Sequence, residues 1–225
     1  MASLFHVAVV DETTSGLYEQ AAGPLSDHVI ILGHGASTNR EHTTMANLAA
    51  TLLAHGLSVV RFNFLYTEKK KGPPDRMPRL TETFGAVVEH VRQTFGPARI
   101  IIGGHSMGGR AASMMAADGF ACDGLLLHSY PLHPAGQPEK LRDAHLPLIP
   151  VPTLCLNGTR DELCQRDLME AVLAKVQPAF TMHWLEGADH GFHVQKKSGR
   201  TEADVMDEVG VAAREWVLAA VDAIH

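Results

Sequence analysis

Short apolar runs alternate along this chain with longer stretches in which apolar residues recur every three or four positions. The runs, among them VIIL, IIIG and LLLH, are apolar on successive residues, which suits strands covered on both faces of a parallel sheet. They predict strands over Leu4–Val10, His28–Leu32, Leu57–Phe62, Arg99–Ile102, Gly124–His128, Thr153–Asn157 and Phe180–Leu185. The three-four rhythm predicts helices over Thr43–His55, Leu80–Thr94, Met107–Ala117, Glu162–Val176 and Glu202–Ala223. Strand and helix in alternation imply a doubly wound, mostly parallel α/β sheet of about seven strands flanked by helices. No internal repeat or low-complexity linker interrupts the pattern, so residues 1–225 read as one domain. Two proline-rich segments, Tyr66–Arg79 and Ser129–Pro150, follow strands. Ligand crevices of open α/β sheets form from such loops, so these are the expected walls of a site.

Composition narrows the setting. The chain is 45% hydrophobic, enough for a sizeable core. A net charge of −6 with both signs interspersed turns the overall field against nucleic acid. No apolar run approaches the ~20 residues that cross a bilayer, and the start, MASLFHVAVVDETTSG, lacks the basic region of a signal peptide. Cys122, Cys155 and Cys164 form an odd, sparse set without the spacing of a disulfide frame or zinc site. A reducing, cytoplasmic location with no nucleic-acid or membrane partner is the expectation.

The candidate chemistry begins in IIIGGHSMGGR, residues Ile100–Arg110. Gly104-His105-Ser106-Met107-Gly108 follows a strand and opens a helix, the context of a G-x-S-x-G nucleophile elbow. A sharp turn there holds the serine in a strained conformation, and a side chain at either glycine would meet neighbouring backbone. The amide of Met107, at the helix N-terminus, would point to where an oxyanion forms. A phosphate-cradling loop is the alternative, but the segment lacks the P-loop lysine and the G-x-G-x-x-G order.

An elbow calls for an acid and then a histidine further along. VPTLCLNGTRDE is a strand, a glycine turn and Asp161; WLEGADHGFH is a strand, a glycine turn and His190. His190 would take the proton of Ser106, and Asp161 would orient the imidazole. Glu162 and Asp189 are rival acids: the first falls in the opening turn of a predicted helix, the second adjoins the histidine too closely to reach its ring. His193 is the rival base. HVIILGHGAS ends a strand on a His-Gly pair, which makes the amide of Ala36 the second oxyanion donor, with Ser37 next. A turn that merely joins strand to helix is the other reading of that pair.

Other features carry less. His190 and His193 lack the spacing of a helical zinc pair and have no evident third ligand, so no metal or cofactor is expected. Lys69, Lys70, Lys71, Arg76 and Arg79 read as a solvated basic loop before an anion trap. Met114 and Met115 read as core. Arg110, in the first helical turn after Ser106, stands against the positive end of the helix dipole unless a carboxylate or a ligand pairs with it, and a structural ion pair is expected.

The segments LGHGAS, RFNFLY with PPDR, GGHSMGGR, LLLHSYPLHP with HLP, NGTRDE and GADHGF resemble the α/β-hydrolase fold over nearly the whole chain. The nearer resemblance is to its small lidless members, dienelactone-hydrolase-like or akin to the testis-expressed and NSL-complex hydrolase-like proteins. It implies an α/β-hydrolase fold without a cap domain, since Ser129–Pro150 is too short to hold one. It also implies a serine hydrolase that cleaves a small acyl substrate, an ester, thioester or amide, through an acyl-enzyme. True dienelactone hydrolases carry cysteine at the elbow, so that activity does not transfer to a chain with Ser106. A non-catalytic binding or scaffold role, which some relatives with incomplete triads serve, is the alternative.

Overall fold

The computed structural model describes residues 2–69, 72–176 and 179–224. Eight strands form one sheet: β1 (Ala2–Val9), β2 (Glu12–Glu19), β3 (His28–Gly33), β4 (Ser58–Phe62), β5 (Arg99–His105), β6 (Gly124–His128), β7 (Thr153–Gly158) and β8 (Phe180–Leu185). Their spatial order is β1-β2-β4-β3-β5-β6-β7-β8. From β4 to β8 all neighbours are parallel, whereas β2 joins β1 and β4 antiparallel.

Strand β2 is the one the hydrophobic pattern missed, so the sheet has eight strands where about seven were expected. Its sequence, ETTSGLYE, reads as a turn, yet Thr14, Ser15 and Gly16 are buried. Tertiary partners supply what the local sequence lacks. Thr14 Oγ1 donates to Asn63 O, and both the amide and hydroxyl of Ser15 donate to Glu68 Oε1. Gly16 leaves room for the Phe5 ring, which a Cβ there would overlap at 2.2 Å.

The helices are α1 (Thr43–Ala54), α2 (Leu65–Glu68), α3 (Met77–Phe95), α4 (Met107–Ala117), α5 (Arg166–Leu173) and α6 (Glu202–Trp216). Buried strand residues alternate between two cores. Ile30, Leu32, Val59, Ile101 and Leu126 pack with α1 and α6, whereas Val29, Ile31, Val60, Ile102 and Leu127 pack with α3, α4 and α5. That two-sided burial is why the strands are apolar on successive residues.

Several boundaries differ from expectation, among them three in the helices. α3 starts at Met77 because Pro78 is tolerated in a first helical turn. α6 gives way after Trp216 to a π-helical turn over Val217–Val221. α5 starts only at Arg166, because Asp161 closes a turn of its own: its Oδ1 accepts the Leu163 amide at 2.8 Å and its carbonyl the Cys164 amide at 3.1 Å. Between β6 and β7 the described structure holds only the 3₁₀ turn Leu146–Leu148, so no cap covers the carboxyl edge of the sheet. The strand order reverses around β3, whose neighbours are β4 and β5, and a crevice opens at such a switch point.

Candidate active site

Three turns beyond the carboxyl ends of β5, β7 and β8 bring Ser106, Asp161 and His190 together. In the first, Ser106 is held at φ 52°, ψ −115° between β5 and α4, a conformation that costs a non-glycine residue ~1–3 kcal/mol. Its amide donates to His128 O at 2.9 Å, and its carbonyl accepts the Arg110 amide at 3.0 Å. Close approach to β3 completes the constraint. A Cβ on Gly104 would sit 2.2 Å from Gly33 O, and one on Gly108 2.1 Å from the same atom. Both elbow glycines are therefore required by a neighbouring backbone that cannot swing aside.

Ser106 Oγ lies 2.9 Å from His190 Nε2, and His190 Nδ1 lies 2.9 and 3.0 Å from the two Asp161 oxygens. The carboxylate only accepts, so Nδ1 donates and Nε2 is free to accept the serine hydroxyl. Asp161 is 4% exposed, and its remaining hydrogen bonds come from the Leu163 amide at 2.8 Å and Asn157 Nδ2 at 3.1 Å. Asn157 cannot readily turn over, because its Oδ1 accepts the Tyr130 amide at 2.9 Å. On the other side of the ring, His105 Nε2 donates to His190 O at 2.9 Å. Burial holds the His105 ring well down, to a pKa of about 4, so it is a neutral strut.

Asn157 and His105 are thus positioning residues that sequence reasoning passed over. Both lie inside quoted motifs, Asn157 in NGTRDE and His105 as the variable position of the elbow. Only spatial contact identifies their partners.

The turn after β3 is braced in the same manner. His34 Nδ1 donates to Gly35 O at 2.8 Å, its Nε2 accepts the Phe64 amide at 3.1 Å, and Tyr66 Oη donates to Ala36 O at 2.9 Å. Burial lowers the His34 pKa to about 4, which keeps the ring neutral and able to donate and accept at once. Ala36 and Met107 line the same cleft as Ser106. Among the described residues neither of their amides donates to a protein acceptor. Ser37 is exposed and does not line that cleft.

The rivals fall elsewhere. His193 has a side chain 64% exposed and binds Glu202 at 2.7 Å, a contact that raises its pKa. Asp189 Oδ1 accepts the Gly191 and His193 amides. Glu162 is exposed, and it lies in the turn before α5 rather than in that helix's first turn, which corrects the sequence expectation. The thiols are no substitute nucleophiles: burial pushes Cys122 up to about 12 and raises Cys155 and Cys164 as well. Among the described residues no three His, Cys, Asp or Glu side chains gather as metal ligands, and no helix is long and apolar enough to cross a membrane.

The cleft has a volume of ≈ 400 Å³, within the usual size of small-molecule sites. Both expected loops wall it, the first through Asp75 and Met77, the second through Pro131, His133 and Arg142. The basic loop takes no part through its described cations. Lys69 pairs with Glu12 at 2.7 Å, and Arg79 pairs with Glu12 at 3.0 Å and Glu82 at 2.5 Å. Lys70 and Lys71 lie outside the described residues. Arg110 departs from expectation. It lines the cleft, no carboxylate pairs with it among the described residues, and its buried Nε has no hydrogen-bond partner. Among the described residues the expected structural ion pair is not formed.

A family model described as an alpha/beta hydrolase domain matches residues 26–218. The chain belongs to the α/β-hydrolase family, and its fold is that of the lidless, dienelactone-hydrolase-like members. It is similar to an alpha-beta serine hydrolase homologue from Coxiella burnetii (TM-score 0.76, 20% identity, 93% of this chain and 96% of that one). It is also similar to a serine hydrolase without lid from Xanthomonas campestris (0.75, 19%, 96% and 94%). A third is the dienelactone hydrolase from Anabaena variabilis (0.73, 18%, 98% and 98%). At these identities the likeness is one of fold.

Proposed function

We propose that this protein is a serine hydrolase that cleaves an ester, thioester or amide through an acyl-enzyme on Ser106. The observation that carries the reading is the unbroken chain of contacts from Ser106 Oγ to His190 Nε2 at 2.9 Å and from His190 Nδ1 to Asp161 at 2.9 Å. His190 takes the hydroxyl proton as the oxygen attacks the acyl carbon, and Asp161 stabilises the imidazolium. The amides of Ala36 and Met107 receive the developing oxyanion. His190 then returns the proton to the leaving group, and water enters by the same steps in reverse. The open cleft supports a small acyl substrate, and the three free cysteines support a reducing, cytoplasmic location.

The test is labelling by a fluorophosphonate together with hydrolysis of 4-nitrophenyl acetate. Ser106→Ala and His190→Ala each abolish both signals while the folded circular dichroism spectrum persists, and exposed His193→Ala keeps both. Labelling of the Ser106→Ala protein, or loss of turnover in His193→Ala alone, overturns the assignment.

A further inference from the structure

Two arginines without acidic partners among the described residues line the cleft that holds Ser106: Arg110 and Arg142. Arg110 is four residues beyond Ser106, and its amide donates to the Ser106 carbonyl at 3.0 Å. Arg110 sits in the first turn of α4 and lines the same cleft as Ser106. Its Nε is buried and has no hydrogen-bond partner among the described residues. Arg110 as a whole is half-buried, and a cation beside a helix N-terminus with no anion at hand is disfavoured by the helix dipole.

Arg142 comes from the other wall. Its backbone is pinned on both sides, the amide to Leu132 O at 2.7 Å and the carbonyl to the buried Tyr130 hydroxyl at 2.5 Å. Its guanidinium has no hydrogen-bond or ion-pair partner among the described residues. Burial and the nearby Arg110 charge both lower its pKa, and both residues line the one cleft with no carboxylate paired to either among the described residues. One carboxylate lines the cleft, Asp75, and it already accepts the Tyr66 amide at 3.1 Å. The buried His133, which also lines the cleft, donates from Nδ1 to Pro134 O and leaves Nε2 unpartnered.

Resting on the serine-hydrolase reading, we infer that Arg110 and Arg142 form an anion subsite, and that the substrate is an ester or thioester carrying a carboxylate a few carbons from the scissile carbonyl. A guanidinium matches the planar, bidentate geometry of a carboxylate, and two arginines line this one cleft. The ligand's charge would supply the partner that the protein withholds. With the carboxylate on the acyl side, Ser106 Oγ bonds to the acyl carbon, the ester C–O bond breaks, and the alcohol leaves with the proton from His190. Water then releases the acid, so one hemiester and one water yield an alcohol, a dicarboxylate and a proton. With the carboxylate on the leaving group, the same steps release a hydroxy acid.

The test compares matched pairs of charged and neutral esters on the purified protein. 4-Nitrophenyl hydrogen adipate against 4-nitrophenyl hexanoate probes the acyl side. 4-Acetoxybenzoate against 4-acetoxybenzamide probes the leaving-group side. In one pair the wild type favours the charged ester in kcat/KM. In Arg110→Met and Arg142→Met that charged-to-neutral ratio falls by about 10- to 100-fold, the usual worth of hydrogen bonds to a charged group. Arg110→Lys restores part of the ratio, and Arg79→Met, outside the cleft, leaves it at the wild-type value. Added adipate inhibits the wild type more strongly than either Met variant. Hydrolysis of all four esters with no charge preference, or an equal loss on both members of a pair, overturns the subsite while leaving the hydrolase reading intact. No hydrolysis and no fluorophosphonate labelling overturns the hydrolase reading instead.

Discussion

Asp161→Asn tests the geometry most sharply, because the structure dictates how the replacement must behave. Three donors converge on the native carboxylate: the Leu163 amide, Asn157 Nδ2 and His190 Nδ1. An asparagine offers one oxygen and one NH₂ group, so wherever its NH₂ points it meets a donor. Facing the Leu163 amide or Asn157 Nδ2 it leaves a buried donor unsatisfied, at ~1–3 kcal/mol of stability. Asn157 cannot relieve this by turning over, since its Oδ1 is bound to the Tyr130 amide. Facing His190 it donates to Nδ1, which moves the ring proton to Nε2 and leaves Ser106 without a base. Turnover then falls by about 10⁴, as in serine-protease triads, equivalent to ~5 kcal/mol of transition-state stabilisation. The assay is pre-steady-state release of 4-nitrophenol, with Glu162→Gln as the paired control and denaturant melts on both. A variant of Asp161 that retains more than a tenth of wild-type turnover, or a Glu162→Gln protein that loses as much, refutes the reasoning.

The remaining predictions concern stability. Gly108→Val drives a side chain into Gly33 O and C, both backbone atoms of a central strand, and costs at least about 3 kcal/mol. Gly85→Ala in α3 meets nothing nearer than 3.4 Å and gains up to about 1 kcal/mol of helix propensity; thermal melts in which the two behave alike would remove the elbow argument. Acid should destabilise the fold early. Burial holds His34 and His105 to about 4 and His128 to about 3, whereas the unfolded chain binds protons on these rings near pH 6.5. Their contribution is complete above pH 6.5 and declines as pH falls, by about 2 kcal/mol per ring at pH 5. Denaturant midpoints that stay level from pH 7.5 to pH 5 would contradict it.

Much of this molecule follows from local chemistry. The alternation of apolar runs and amphipathic stretches determines the parallel core, because a strand buried on both faces must be apolar at successive positions, as Val29–Leu32 and Ile100–Ile102 are. The elbow was legible as a short motif: the positive φ of Ser106 belongs to one tight turn, although what the glycines at 104 and 108 make room for is the backbone of Gly33 on β3. The order serine, acid, histidine, each after a strand, followed from the same reading.

Tertiary structure alone decided the rest, and in each case the deciding partner is distant in the chain. Strand β2 is polar in sequence and exists because Asn63 and Glu68 satisfy Thr14 and Ser15. Asn157 and His105 brace Asp161 and His190 through hydrogen bonds whose partners no spacing rule names. Arg110, expected from the sequence to form an ion pair, has no carboxylate partner among the described residues, which only the packing could show. A side chain's chemistry states what it needs; which group meets that need depends on what the fold brings within hydrogen-bonding distance.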